Sequence, residues 1–218
     1  MKKKIALACT AVVLVAAVVV GTTLAWFTDT EAKTNVVTMG NVNIDLTEPS
    51  YVENATVDSE GNLHYNDYAM PGDKIAKDPT ITNTGDFACY VRAKIEFTGP
   101  TDKTELSDDD LYFKYTDPNT QAVSYISIND ASANGNKWVK SGEYWYYTEP
   151  LKKNDAVVLF DTVIVPEEWN NEVANQDFSI SVSAEAIQAD NFKPKEVNGV
   201  YGWYNSNGDE VTVENYDD

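Results

Sequence analysis

Apolar residues along the chain recur mostly at a period of two, the spacing that sends successive side chains to opposite faces of a strand. Cys89, Val91, Ala93, Ile95 and Phe97 alternate with Tyr90, Arg92, Lys94 and Glu96 before Gly99-Pro100 ends the run. Strict alternation over that length predicts a strand with one buried face. Residues 178–186 repeat the pattern, with Phe178, Ile180, Val182, Ala184 and Ala186 set between three serines and a glutamate. Val42, Ile44 and Leu46 predict a shorter strand, and Gly40 separates it from the apolar residues 36–39. Residues 137–139 and 143–147 read as the arms of a hairpin through Ser141-Gly142, and Asn154-Asp155 turns the chain before two further extended stretches. Ile75 and Ile81 flank Pro79, whose missing amide hydrogen predicts an edge position or a bulge. Residues 47–70 read as loop or irregular edge, and residues 167–176, after Pro166, as one or two helical turns. The chain is loop-like from Gln188 through Asn198-Gly199, with Tyr201, Trp203 and Tyr204 packing back as a short element. Many short strands between Gly, Pro and Asn turns predict an all-β antiparallel sandwich.

The first 25 residues depart from this pattern. Lys2, Lys3 and Lys4 form a basic start, residues 5–20 are apolar, and Thr23 and Ala25 place small residues before a cleavage point at Trp26. Residues 5–25, uncharged throughout, are long enough to span a bilayer, so a retained anchor stands beside the cleaved signal peptide. Either alternative exports the rest of the chain, and membrane contact is then expected only through an uncleaved leader.

Charge narrows the partners. The chain carries 16 basic and 35 acidic residues; beyond residue 25 the balance is 13 to 35, a net charge of −22. A basic tract to neutralise a phosphate backbone is missing, so nucleic acid is not an expected partner. The 43% hydrophobic content and 25 aromatic residues argue for a folded core despite the charge. Candidate chemistry is sparse. His64 is the one histidine, and Cys89, the one cysteine beyond the leader, falls on the apolar face of its strand. A zinc centre draws three or four ligands from His, Cys and carboxylates, and no HExxH is present. Residues 107–110 and 117–119 offer oxygens without the spacing of a helix-loop-helix calcium site, so calcium is expected only as a non-specific counter-ion and no cofactor is expected. Tyr144, Trp145, Tyr146 and Tyr147 load both faces of one strand and leave two readings: core under a covering element, or a surface for glycan or a subunit.

Four stretches carry a family resemblance. Residues 21–31, GTTLAWFTDTE, resemble the cleavage region of Gram-positive exports processed by the dedicated signal peptidase of the biofilm fibre system. Residues 39–46, MGNVNIDL, resemble the first strand of the TasA and camelysin family of biofilm matrix proteins. Met70-Pro71-Gly72-Asp73, Lys77-Asp78-Pro79 and Asn83-Thr84-Gly85 resemble that family's next segment, and Trp169 with residues 178–189 its closing strand. Residues 101–165 match only in general character, and the Trp- and Tyr-rich tail at 200–218 is particular to this chain.

The resemblance implies a jelly-roll-like sandwich in a secreted, structural, non-enzymatic matrix or cell-surface protein. Its subunits assemble head-to-tail with copies of themselves or related matrix subunits by donor-strand exchange, or assist such fibres. The implied division is a signal peptide at 1–25, a donor segment at 26–38, a sandwich domain at 39–191 and an aromatic, acidic extension at 192–218. Thr23, Ala25 and Trp26 mark the cleavage site; Trp26, Phe27, Val36 and Val37 are the donor's apolar plugs. Camelysins are also described as metalloproteases, an activity that one histidine does not support here. A surface module for glycans or cell wall is the alternative.

Overall fold

The computed structural model describes residues 28–31, 42–66, 68–100, 106–130, 136–169, 173 and 176–211. The leader, the cleavage residues Thr23, Ala25 and Trp26, and the donor plugs Phe27, Val36 and Val37 lie outside them. The strands, in chain order, are β1 (Thr28–Glu31), β2 (Ile44–Thr47), β3 (Ala55–Val57), β4 (Leu63–Tyr65), β5 (Lys74–Ala76) and β6 (Thr80–Asn83). Then follow β7 (Cys89–Thr98), β8 (Leu111–Thr116), β9 (Val123–Ser127), β10 (Trp138–Ser141) and β11 (Tyr144–Tyr147). The last are β12 (Ala156–Val158), β13 (Thr162–Ile164), β14 (Ser179–Gln188), β15 (Phe192–Val197) and β16 (Val200–Asn205). One short helix, α1 (Pro49–Val52), follows β2.

Every strand pair is antiparallel. A five-stranded sheet runs β1-β14-β7-β11-β10, a four-stranded sheet β5-β13-β8-β9 and a three-stranded sheet β12-β6-β2. Val91, Ala93, Trp145 and Ala184 from the first share one core with Leu111 and Val163 from the second and Ile44 and Ile81 from the third. The large sheet is therefore one layer and the two smaller sheets the other. This is the all-β antiparallel sandwich that the alternation predicts. Its spine is the β7–β14 ladder, paired over ten positions from Ser179↔Thr98 to Gln188↔Cys89, which joins the two most regular runs in the sequence.

Four local expectations change. Pro79 marks neither an edge nor a bulge: it lies between β5 and β6, where the chain leaves one small sheet for the other, and β6 is central in its sheet. Proline removes an amide donor at a place where no ladder needs one. Residues 47–70 are not irregular, since they form α1 and the β3–β4 hairpin. After Pro166 the described residues make a turn, closed by Trp169 N–H to the Pro166 carbonyl at 3.3 Å, and no helix. The loop-like stretch after Gln188 is the β15–β16 hairpin, whose two-residue connection Asn198-Gly199 takes φ of 54° and 82°. Those angles are what the right-handed twist of a two-residue hairpin demands, and Asn-Gly supplies them at little steric cost.

The hairpin packs against the outer face of the large sheet. Phe192, Trp203 and Val211 bury there with Tyr146 and Ile187 as a second core. Arg92 and Glu185, on the polar faces of their alternating runs, are consequently buried at 4% and 9% exposure.

Candidate functional site

The edge of the large sheet is where the N-terminal chain meets the domain. β1 pairs with β14 in the register Thr28↔Ile187, Asp29↔Ala186, Thr30↔Glu185 and Glu31↔Ala184. Among the described residues four positions pair, while β14 runs for ten residues. Among the named strands, Ser179–Ser183 therefore pair on the β7 side alone. Each main-chain hydrogen bond gained in such a pairing contributes about 1 kcal/mol net, so the contact is shallow. Its position follows from β14: Ala184 and Ala186, fully buried, are the small end of the tapering run and sit at the registered positions.

Behind that edge lies a buried polar row. Glu185, opposite Thr30, is also opposite Arg92, which is opposite Tyr146. Arg92 Nε donates to Glu185 Oε2 at 2.7 Å and Nη1 to the Tyr146 hydroxyl at 3.1 Å. The guanidinium stands 4.0 Å from the Tyr144 ring and 4.5 Å from the Trp203 ring. Burial opposes its charge, but the Glu185 carboxylate and the Tyr146 hydroxyl together outweigh that and hold Arg92 above its ordinary range. Burial first, then Glu185, pushes the Tyr144 hydroxyl up. The aromatic strand thus divides between two cores: Trp145 belongs to the main one and Tyr146 to the second, under the C-terminal hairpin. That is the covered alternative for these residues, and the covering element is the segment the sequence leaves as loop.

The motif residues of the inner segment serve as fasteners. Gly72 takes φ of 85° and its N–H donates to the Val165 carbonyl at 2.8 Å, while the Asp73 carboxylate accepts from Met70 N–H at 2.7 Å. Lys77 Nζ reaches both Glu48 oxygens at 2.7 and 2.6 Å, and Asp78 accepts from the Ser50 N–H and hydroxyl at 2.8 and 2.7 Å. Those two pairs clamp α1 to the β5–β6 connection. Asn83, fully buried, donates to the Phe87 and Leu151 carbonyls at 2.8 and 2.9 Å and accepts from Gly85 N–H at 2.9 Å. Trp169 meets Phe178 edge-on at 5.4 Å. Each of these contacts holds one strand or turn against another.

A family model described as camelysin metallo-endopeptidase matches residues 1–111, half of the chain. The chain belongs to the camelysin family. None of the curated proteins matches it. The matched half of this camelysin contains β1 and the fasteners from Asp73 to Asn83.

The family's description implies a metal, which would need His, Cys or carboxylate donors brought together. His64, on β4, has Nε2 3.0 Å from Asp58 Oδ2 and lies on an exposed hairpin. That ring nitrogen, then the Asn62 side chain and amide, hold the Asp58 carboxyl well below the usual carboxylate range. Cys89 is fully buried in the main core. Among the described residues no three His, Cys, Asp or Glu side chains come together in a way that could hold an ion. The acidic runs are occupied locally. Asp110 accepts from Ser107 N–H at 2.8 Å, Asp109 accepts from Asn129 at 2.8 Å, and Asp108 pairs with Lys140. Asp117 accepts from the Asn119 and Thr120 amides at 2.7 and 3.0 Å. The donors present do not fit the metal centre of a metallo-endopeptidase, which needs three protein ligands and an open position.

Proposed function

We propose that this camelysin is an exported structural protein of the cell surface or extracellular matrix, without a catalytic role, that assembles head-to-tail by exchange of its N-terminal strand. The observation that carries the reading is β1 on the edge of β14, held over four positions by main-chain pairing. Main-chain hydrogen bonds do not distinguish one copy of a strand from another, so the same slot accepts the equivalent segment of a neighbouring subunit. Such a contact is heterologous and does not close, which yields a filament. β14 runs for ten residues, long enough to pair with a donor strand of the same length. Residues 26–38, with Trp26, Phe27, Val36 and Val37 as plugs, are the proposed donor. Cleavage at Trp26, after Thr23 and Ala25, releases it from the leader. A structural role also agrees with motif residues that fasten strands and with a donor set that does not suit a metal.

The test is electron microscopy of residues 26–218 beside a chain lacking 26–38. Filaments are expected only from the chain that keeps the segment, and a synthetic 26–38 peptide added in excess should cap their growth. Filaments from both chains, or from neither, would overturn strand exchange.

A further inference from the structure

Among the described residues the outer face of the four-stranded sheet, unlike that of the large sheet, has no hairpin over it. It forms an open groove of about 470 Å³, within the range of small-ligand sites. Lys74 from β5 and Lys114 from β8 line it together with Ser50, Thr116, Tyr125, Asp161 and Thr162; the Ser50 hydroxyl donates to Asp78 and keeps its acceptor lone pairs. Ala76 lines it too and adds only a methyl group.

Six of the described basic residues are already neutralised by a carboxylate, and the two groove lysines are not. Lys77, Arg92, Lys94, Lys137, Lys140 and Lys153 each hold a carboxylate partner. In a chain with 35 acidic and 16 basic residues, that is what chance encounter alone would favour. Lys74 and Lys114 have no ion pair among the described residues, although Asp161 borders the same groove. The Asp161 Oδ1 is committed elsewhere: it accepts from the Lys114 backbone N–H at 2.7 Å and from the Thr162 hydroxyl at 2.8 Å. The Lys74 ammonium lies 5.4 Å from the Tyr125 ring centre.

We propose that this groove binds an oxyanion-bearing polyol, a sugar or sugar alcohol carrying a phosphate or a carboxylate. Two ammonium groups receive the oxyanion as point charges. The hydroxyls, and the carboxylate oxygen of Asp161, are suited to the neutral hydroxyl groups of the same molecule, since a carboxylate accepts from O–H and repels a bare anion. That combination selects a ligand with both kinds of group over a simple inorganic anion. The site lies on the layer opposite β14 and does not depend on strand exchange.

Calorimetric titration of the purified protein with glucose 6-phosphate, glucuronate, glucose and inorganic phosphate tests this. Saturable binding of glucose 6-phosphate or glucuronate is expected, at least tenfold tighter than glucose or phosphate, and the tighter of the two names the oxyanion. Lys74→Met and Lys114→Met should each weaken it tenfold or more, with unchanged melting temperature, while Lys152→Met on another surface leaves it intact. Absence of saturable binding, equal loss in Lys152→Met, or inorganic phosphate binding as tightly as the sugar acids would overturn the proposal. Tighter binding of a glutamate-rich peptide, lost in the same two variants, would overturn it in favour of a protein partner.

Discussion

Arg92 tolerates burial because a carboxylate, a phenol and two ring faces stand where water would otherwise be. Losing one member of such a pair strands the other charge, at a cost of about 3–5 kcal/mol, whereas replacing both by apolar residues of similar volume is often neutral. Urea unfolding should therefore show Glu185→Ala strongly destabilised and the double variant Arg92→Met/Glu185→Leu close to the parent. A double variant as damaged as the single would mean that the pair itself, and not its broken state, dominates. Asp58 gives a prediction in pH. Its carboxyl titrates well below the ordinary range because His64 and Asn62 stabilise the charged form. A folded-state value depressed in this way contributes stability that is fully present above the unfolded value and is lost as pH falls through the folded one. The β3–β4 turn should thus keep its Glu60 and Asn62 amide shifts down to strongly acidic pH. His64→Ala should move the Asp58 titration, followed by NMR, upward toward the ordinary range.

At the level of elements, the C-terminal hairpin decides what the outer face of the large sheet is. Without β15 and β16, Tyr146, Ile187 and the Arg92–Glu185 pair would face water, and the Trp203 ring would no longer cover the guanidinium. Deleting residues 192–218 is expected to lower the melting temperature of the whole domain in one transition, because the second core shares Tyr146 and Ile187 with the ladder of the first. Two separate transitions in the intact protein, the first abolished by the deletion, would show instead that the hairpin is an independent unit. The turn after β6 is held as tightly. Asn83→Ala removes three side-chain hydrogen bonds, although the Leu151 carbonyl still accepts from Cys89 N–H and Gly85 N–H still donates to the Asn43 carbonyl; at about 1 kcal/mol for each lost bond, a stability scan should show a loss of about 2–3 kcal/mol.

For the molecule as a whole, charge sets the terms of the assembly proposed above. Subunits that each carry −22 beyond residue 25 repel one another until salt shortens the range of their fields. At physiological ionic strength that range is about 8 Å, comparable to the spacing of neighbouring surfaces. Filament growth is expected to rise with ionic strength and to be similar in sodium and calcium chloride at matched ionic strength. A sharp calcium requirement at low micromolar concentration would show a built cation site. The acidic loops that suggest calcium are instead engaged in capping turns, as Asp110 and Asp117 are.

Sequence alone determined the sandwich. Strict alternation in residues 89–97 and 178–186 leaves one apolar face per strand, and a strand with one apolar face must pack against another sheet. It also located the hairpin through Ser141-Gly142, because a tight turn needs a residue that accepts positive φ, and Gly142 takes 58°. The Asn198-Gly199 turn carried the same kind of local signal, and the alternation around it is broken by Pro194 and Lys195, so the strands beside it read as loop. Only the tertiary structure decided which polar face is buried, where Pro79 lets the chain change sheets, and which strand edge receives Thr28–Glu31. Alternation reports how apolar a face is and says nothing of what covers the other one. Arg92 and Glu185 look like solvent-facing charges until a hairpin from the far end of the chain lies over them. The partner of β1 is some 150 residues away, and pairing over that separation is settled by which edge remains open once the core has packed.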